Sequence, residues 1–166
     1  MSAGIRRLAA ADLDAVMQVQ AACYPPALNE TRAVFARRLA AAPDTAWLAE
    51  TAGGVGAYLF CYRSQPGGIT PLGGDFAPSR EGTALYIHDL AVAPAASGQG
   101  LARRLLETAW ASARANGLAF CTLVAVPEAI AFWTRLGFVP AQAADQRQQA
   151  NLASYGTQVA YLQRAL

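Results

Sequence analysis

Charge is scarce in this chain, and so is every residue that would announce a metal site or a disulfide frame. Of 166 residues, 14% are charged and the net charge is +2. That is too little basic character to argue for a nucleic-acid or membrane-surface partner. The three cysteines, Cys23, Cys61 and Cys121, are scattered and odd in number. They read as reduced core thiols, with no disulfide frame and no metal site. One histidine, His88, is present, so histidine-pair chemistry is excluded. No apolar run approaches the roughly 20 residues of a membrane span. The first residues lack the apolar core and cleavage site of a signal peptide. A cytoplasmic location is therefore expected. Hydrophobic residues make up 54%, enough to fill one sizeable core, and the length is about one domain's worth.

The chain is organised around residues 86–115. Tyr86 to Val92 is apolar and partly β-branched, as a buried strand should be. A short turn follows, and then Gly98-Gln99-Gly100-Leu101-Ala102 opens a long helix. Its apolar residues Leu101, Leu105, Leu106, Ala109, Trp110 and Ala113 repeat with a 3.6-residue period. Two glycines at a helix N-terminus let the backbone approach a ligand whose negative charge the free amides would hold. Such a turn suggests a phosphate cradle. The common nucleotide motifs fail, however. No Gly-Lys-Ser/Thr follows the turn, and Arg103 stands where a dinucleotide fingerprint needs its third glycine.

Leu90-Ala91-Val92-Ala93-Pro94 followed by Ser97-Gly98-Gln99-Gly100-Leu101-Ala102 resembles the acyl-CoA-binding motif of the GNAT superfamily of N-acyltransferases. That motif is a hydrophobic-Ala-Val-x-Pro strand and then Arg/Gln-x-x-Gly-x-Gly/Ala. The first position differs, being Ser97 or Ala95 here. A second stretch, Ala129-Ile130-Ala131-Phe132-Trp133-Thr134-Arg135-Leu136-Gly137-Phe138, is similar to the superfamily's later Asn-x-x-Ala-x-x-Phe-Tyr-x-x-x-Gly-Phe helix. Val126 occupies the Asn place and Trp133 the Tyr place. In many relatives that Tyr protonates the leaving thiolate. An indole N–H is a donor only, so Trp133 cannot take that role.

The resemblance implies a single α/β domain over residues 1–166. It would have a mixed, twisted central sheet of about six or seven strands, with about four helices on both faces. Its middle strands would splay apart to admit the pantetheine arm of CoA, whose amides could pair with the freed backbone groups. It further implies acetyl-CoA as co-substrate, with no metal. The cofactor contacts would be Leu90, Ala91, Val92, Ser97, Gly98, Gln99, Gly100, Leu101, Ala102, Arg103 and Phe132. The Leu90 amide would hold the acyl oxygen as charge develops. The acceptor would be a small-molecule or protein amine, attacking directly in a ternary complex, and a homodimer is allowed for. The alternatives are a CoA-binding module without catalysis and a transferase for a longer acyl group.

A protonated amine must lose a proton before it attacks a thioester. His88 is the candidate base, titrating ordinarily near neutrality. Strand alternation would put Tyr86, His88 and Leu90 on one face and Asp89 on the other. The competing reading is a histidine satisfied inside the core. Tyr86 could line a water chain, or simply pack. Tyr155, at the loop entering the last strand, is the candidate acid; its competing reading is an aromatic at a strand end. A thiol nucleophile lacks a second histidine and a polar setting.

The remaining elements follow in order. Ile5 to Leu8 reads as a strand. Asp12 would cap a helix bearing Leu13, Val16, Met17 and Gln20, and Pro25-Pro26 breaks it. Asn29 would cap a second helix. Ala46 to Thr51 and Val55 to Tyr62 form a hairpin through Gly53-Gly54. Ser64 to Gly82 is a long Gly- and Pro-rich loop, placed to edge an acceptor site. Asn116-Gly117 ends the central helix. Leu118 to Ala125 is a buried strand, Pro127 starts a helix, Phe138 begins a strand, Gln142 to Ala153 is turn-like, and Tyr155 to Leu166 is the last strand.

Overall fold

A computed structural model describes residues 4–166. Seven strands form one sheet among the described residues: β1 (Gly4–Arg7), β2 (Ala46–Thr51), β3 (Gly54–Ser64), β4 (Ala84–Val92), β5 (Phe120–Ala125), β6 (Val139–Pro140) and β7 (Ala160–Ala165). Their order is β1-β2-β3-β4-β5-β7-β6. The β4–β5 pair is parallel and its neighbours are antiparallel. A parallel pair needs a long crossover, which α3 (Leu101–Ala115) supplies.

The sheet is covered on both faces. On one lie α3 and the short α4 (Ile130–Arg135). The six α3 residues picked out by their period are its buried ones, and they pack on Trp47, Leu59, Leu85, Ile87 and Leu123. Each such fully buried leucine contributes roughly 1.5–3 kcal/mol. On the other face lie α1 (Leu13–Cys23) and α2 (Arg32–Ala41). There Leu13, Val16, Val19, Phe35 and Leu39 meet Leu48, Tyr58, Phe60, Tyr62 and Tyr86.

Several local expectations are corrected. The side chain of Asp12 does not bond into α1; it accepts from the Ala9 amide and pairs with Arg6. Thr31, not Asn29, caps α2, its hydroxyl accepting from the Val34 amide at 3.3 Å. Residues 142–153 are not all turn: a fifth helix, α5 (Gln146–Ala153), is capped by Asp145. Its inward side chains are mostly polar, with Leu152 the apolar one packed on the core. Gln148 accepts from the Ile69 amide and Asn151 donates to the Ile69 carbonyl, so no apolar period betrays it. The last strand accordingly begins at Ala160 rather than Tyr155.

Candidate active site

The β4–β5 ladder runs from Ala84↔Phe120 to Ile87↔Leu123 and stops there, although both strands continue. At the same point β4 is bulged. Cys61 pairs with Ile87 and Phe60 with Asp89, leaving His88 without a partner on β3. A bulge bends its strand and re-aims side chains. Here it opens a cavity of ≈ 150 Å³ between the diverging strands, lined by residues 87–90 of β4, 123–125 of β5 and Val126 just after it, together with Tyr24, Glu30, Trp133 and Tyr155.

The bulge also corrects the expected alternation. Tyr86 faces the α1 side and Ile87 the α3 side, but beyond the bulge the order inverts. Asp89 now shares the α1 side with His88, because it accepts from the Tyr58 hydroxyl at 2.7 Å and from Tyr24 at 2.8 Å. Leu90 turns to the α3 side.

His88 sits in a buried network, its side chain 3% exposed. Its Nε2 lies 3.1 Å from Glu30 Oε1, and its Nδ1 3.5 Å from the Tyr155 hydroxyl. Glu30 is a carboxylate acceptor, so Nε2 carries the proton and Nδ1 the lone pair in the neutral ring. Tyr155 directs its own proton to the Thr70 carbonyl at 2.6 Å, which leaves that lone pair open. Glu30 in turn accepts from Arg38 at both oxygens, 2.7 and 2.5 Å, and from the Gly73 amide at 2.7 Å. Burial alone would raise the Glu30 carboxyl; hydrogen bonds from His88 and Arg38 outweigh it and bring it down to about 2. Arg38 also donates to the Gly74 carbonyl. The long loop is thus pinned over the site, and its Leu72 lines the cavity. Burial pushes the Tyr155 hydroxyl well up and raises the Asp89 carboxyl.

The other candidate residues separate into groups. Tyr86 is 1% exposed and packs behind His88, ring centroids 6.4 Å apart. Leu90, half-buried, lines the cavity, and its carbonyl lies 3.0 Å from the Tyr24 hydroxyl, whose single proton it shares with the nearer Asp89. Ala91 is buried, and the Val92 carbonyl accepts from the Cys23 thiol. Past β4, Ser97, Gly98, Gln99 and Gly100 are all exposed. Gly100 caps α3 with φ 69°, a left-handed conformation that an L side chain rarely adopts. Gly56 on β3 lets the turn sit close, since a Cβ there would stand 3.0 Å from Ala96 and 3.2 Å from Leu101. Leu101 is buried in the core under α3. Ala102 is half-buried. Arg103 pairs with Glu107 at 2.8 Å along the helix surface. Phe132 is half-buried against Trp133, which lines the cavity in the place of the missing tyrosine. Burial pushes the Cys61 and Cys121 thiols up, the latter to about 12, so neither is a nucleophile at neutral pH. Among the described residues no group of His, Cys, Asp or Glu could hold a metal. No described helix is long and apolar enough to cross a membrane.

Glu30, Arg38, Asp89 and Tyr24 are the residues sequence reasoning missed. Glu30 lies in the loop ahead of α2, where no helical spacing links it to Arg38 or His88. Asp89 was placed on the wrong face by regular alternation.

A bulged, splayed parallel pair leading into a glycine turn and a helix N-terminus defines an acyl-CoA-dependent transferase fold. The model of the acetyltransferase (GNAT) family matches residues 13–138, and the chain belongs to that family. A search of curated proteins finds no match. Among solved structures it is similar to the GphF GNAT-like decarboxylase in complex with isobutyryl-CoA, at TM-score 0.75 and 20% identity, over 98% of both chains. It is similar to Arabidopsis thaliana Naa50 in complex with the bisubstrate analogue CoA-Ac-MVNAL, at TM-score 0.71 and 15% identity, over 100% of both. It also matches N-acetylglutamate synthase from Neisseria gonorrhoeae, complexed with coenzyme A and N-acetyl-glutamate, at TM-score 0.72 and 18% identity. That match covers 99% of this chain and 35% of the other.

Proposed function

We propose that this protein is an N-acetyltransferase that moves an acetyl group from acetyl-CoA to a primary amine by direct attack in a ternary complex. The observation that carries the reading is the ladder that ends at Ile87↔Leu123 while both strands run on. Backbone groups freed there need partners, and the amides of pantetheine supply them along Leu90 to Val92. The exposed turn Ser97 to Gly100, with the amides of Leu101, Ala102 and Arg103, then receives the pyrophosphate. Ser97 and Gln99 add polar side chains, and Phe132 lies beside the path of the arm.

His88 is the base. Glu30 holds its Nε2 proton, and Nδ1 takes a proton from the bound ammonium, directly or through one water. Tyr86 holds the ring from behind. The neutral amine then attacks the thioester carbon, forming the C–N bond as the C–S bond breaks, while the Leu90 amide holds the acyl oxygen. The acylated nitrogen gives up its second proton to water as the amide forms, His88 returns its own to solvent, and the thiolate takes up one proton. Tyr155 is the candidate donor, but delivery requires its 2.6 Å bond to Thr70 to break, and water can protonate so weak a base.

The test is release of free CoA from acetyl-CoA over a broad amine panel, with mass spectrometry of the products. The chain has no lysine, its 13 basic residues all being arginine, so self-acylation at lysine adds no background. Amine-dependent CoA release supports the reading. CoA binding without release for any amine would leave a binding module instead. An isobutyryl-CoA arm separates acetyl transfer from transfer of a larger acyl group.

A further inference from the structure

The cavity beside His88 has an unequal charge inventory. Two carboxylates, Glu30 and Asp89, reach its wall, and no arginine lines it. Glu30 is already neutralised by Arg38, whose guanidinium is 1% exposed and bonded to both Glu30 oxygens and to the Gly74 carbonyl. Asp89 is different. It is 8% exposed, and its oxygens each accept one neutral tyrosine hydroxyl, from Tyr24 and Tyr58. A carboxylate oxygen can accept more than one hydrogen bond, so acceptor capacity remains. A buried acid without a cation is costly and favours a positive ligand. The rest of the wall is apolar: Leu28, Leu72, Leu123, Val126, Ala129 and Trp133.

We propose that the acceptor is a cationic primary amine on an apolar group, with no carboxylate on the amine-bearing carbon, and that Asp89 is its counter-ion. A zwitterionic amino acid would bring its own carboxylate into a pocket with one uncompensated acid, Asp89, and no arginine on its wall, where desolvation and repulsion both oppose it. An amine, an amino-acid amide and a peptide N-terminus share the accepted chemistry. The inference rests on the acyl-transfer reading for what the site is for, but it concerns binding and can be measured without turnover.

Phenethylamine, phenylalanine amide, a short peptide beginning with phenylalanine, and free phenylalanine are titrated calorimetrically into the wild-type protein loaded with CoA. The same four are compared by kcat/KM with acetyl-CoA. The three ligands without a carboxylate on the amine-bearing carbon should exceed free phenylalanine by at least about tenfold in both readouts, or about 1.4 kcal/mol. The ratio of peptide to phenethylamine tells protein N-termini from small amines. Asp89→Asn should lower amine affinity about tenfold or more while CoA binding is retained. Phenylalanine binding as well as its amide overturns the proposal and leaves acyl transfer standing. Preferential binding of phenethylamine with no acylation upholds it and removes the acyl-transfer reading. Failure of every ligand to bind, or an Asp89→Asn protein that binds amines like wild type, overturns it.

Discussion

Replacing Glu30 by glutamine tests the network on which His88 depends, and its cost can be worked two ways. The side chain is 6% exposed and bonded to Arg38, His88 and the Gly73 amide. Its carboxyl lies at about 2 against an ordinary 4.5. At about 1.4 kcal/mol per pH unit, the difference is worth about 3 kcal/mol. Independently, removing one partner of a buried ion pair typically costs about 3–5 kcal/mol, because the other charge is left uncompensated. The two figures meet near 3 kcal/mol, or a fall in Tm of roughly 6–12 °C for a chain of this size. The sign with pH follows from a depressed carboxyl. The stabilisation is fully present above about pH 4.5 and is lost as pH falls through about 2, so at pH 3 about 1.4 kcal/mol of it should remain. The assay is denaturant unfolding of wild type and Glu30→Gln, followed by circular dichroism from pH 7.5 down to 3. The gap between them should narrow by about half over that range. Removing both partners in Glu30→Gln/Arg38→Met should cost less than the sum of the single changes. Equal midpoints at pH 7, or a gap that does not close in acid, would refute the assignment of a charged, buried Glu30–Arg38 pair.

Three further outcomes are expected. CoA should raise the wild-type melting temperature, and Gly100→Glu should abolish the rise by putting a charged side chain at a left-handed position in the phosphate turn; an unchanged CoA shift in the folded variant would remove the cradle. His88→Ala should lower turnover by roughly 10²-fold or more, with CoA affinity little changed and the ascending limb of the pH–rate profile altered; near wild-type rates and profile would show the histidine to be structural. Tyr155→Phe loses the bond to the Thr70 carbonyl and about 1 kcal/mol of stability; its turnover should fall less than that of His88→Ala, and a larger fall would make Tyr155 the main proton donor.

Residues 86–115 show how far the sequence reaches. The six apolar positions of α3, the strand before it and the glycines between them are local patterns, set by helical period, strand composition and the backbone freedom of glycine. Reading them was enough for the family, the mixed sheet and the glycine turn that opens α3. Thr31 and Asp145 were equally local, but several polar residues competed for each cap and packing chose among them. α5 escaped because its inner face is held mainly by amide side chains, with the single apolar contact of Leu152 too little to make a period. The site itself was decided by tertiary structure. One unpaired residue in the β3–β4 ladder, His88, inverts the alternation, and so brings Asp89 to the α1 side of the cavity and Leu90 to its α3 side. Glu30, Arg38, Gly73 and Thr70 reach His88 and Tyr155 from loops and a helix far apart in the chain. No period connects such residues, since a hydrogen bond across a cavity depends on where whole elements dock, and that is set by the packing of both faces of the sheet.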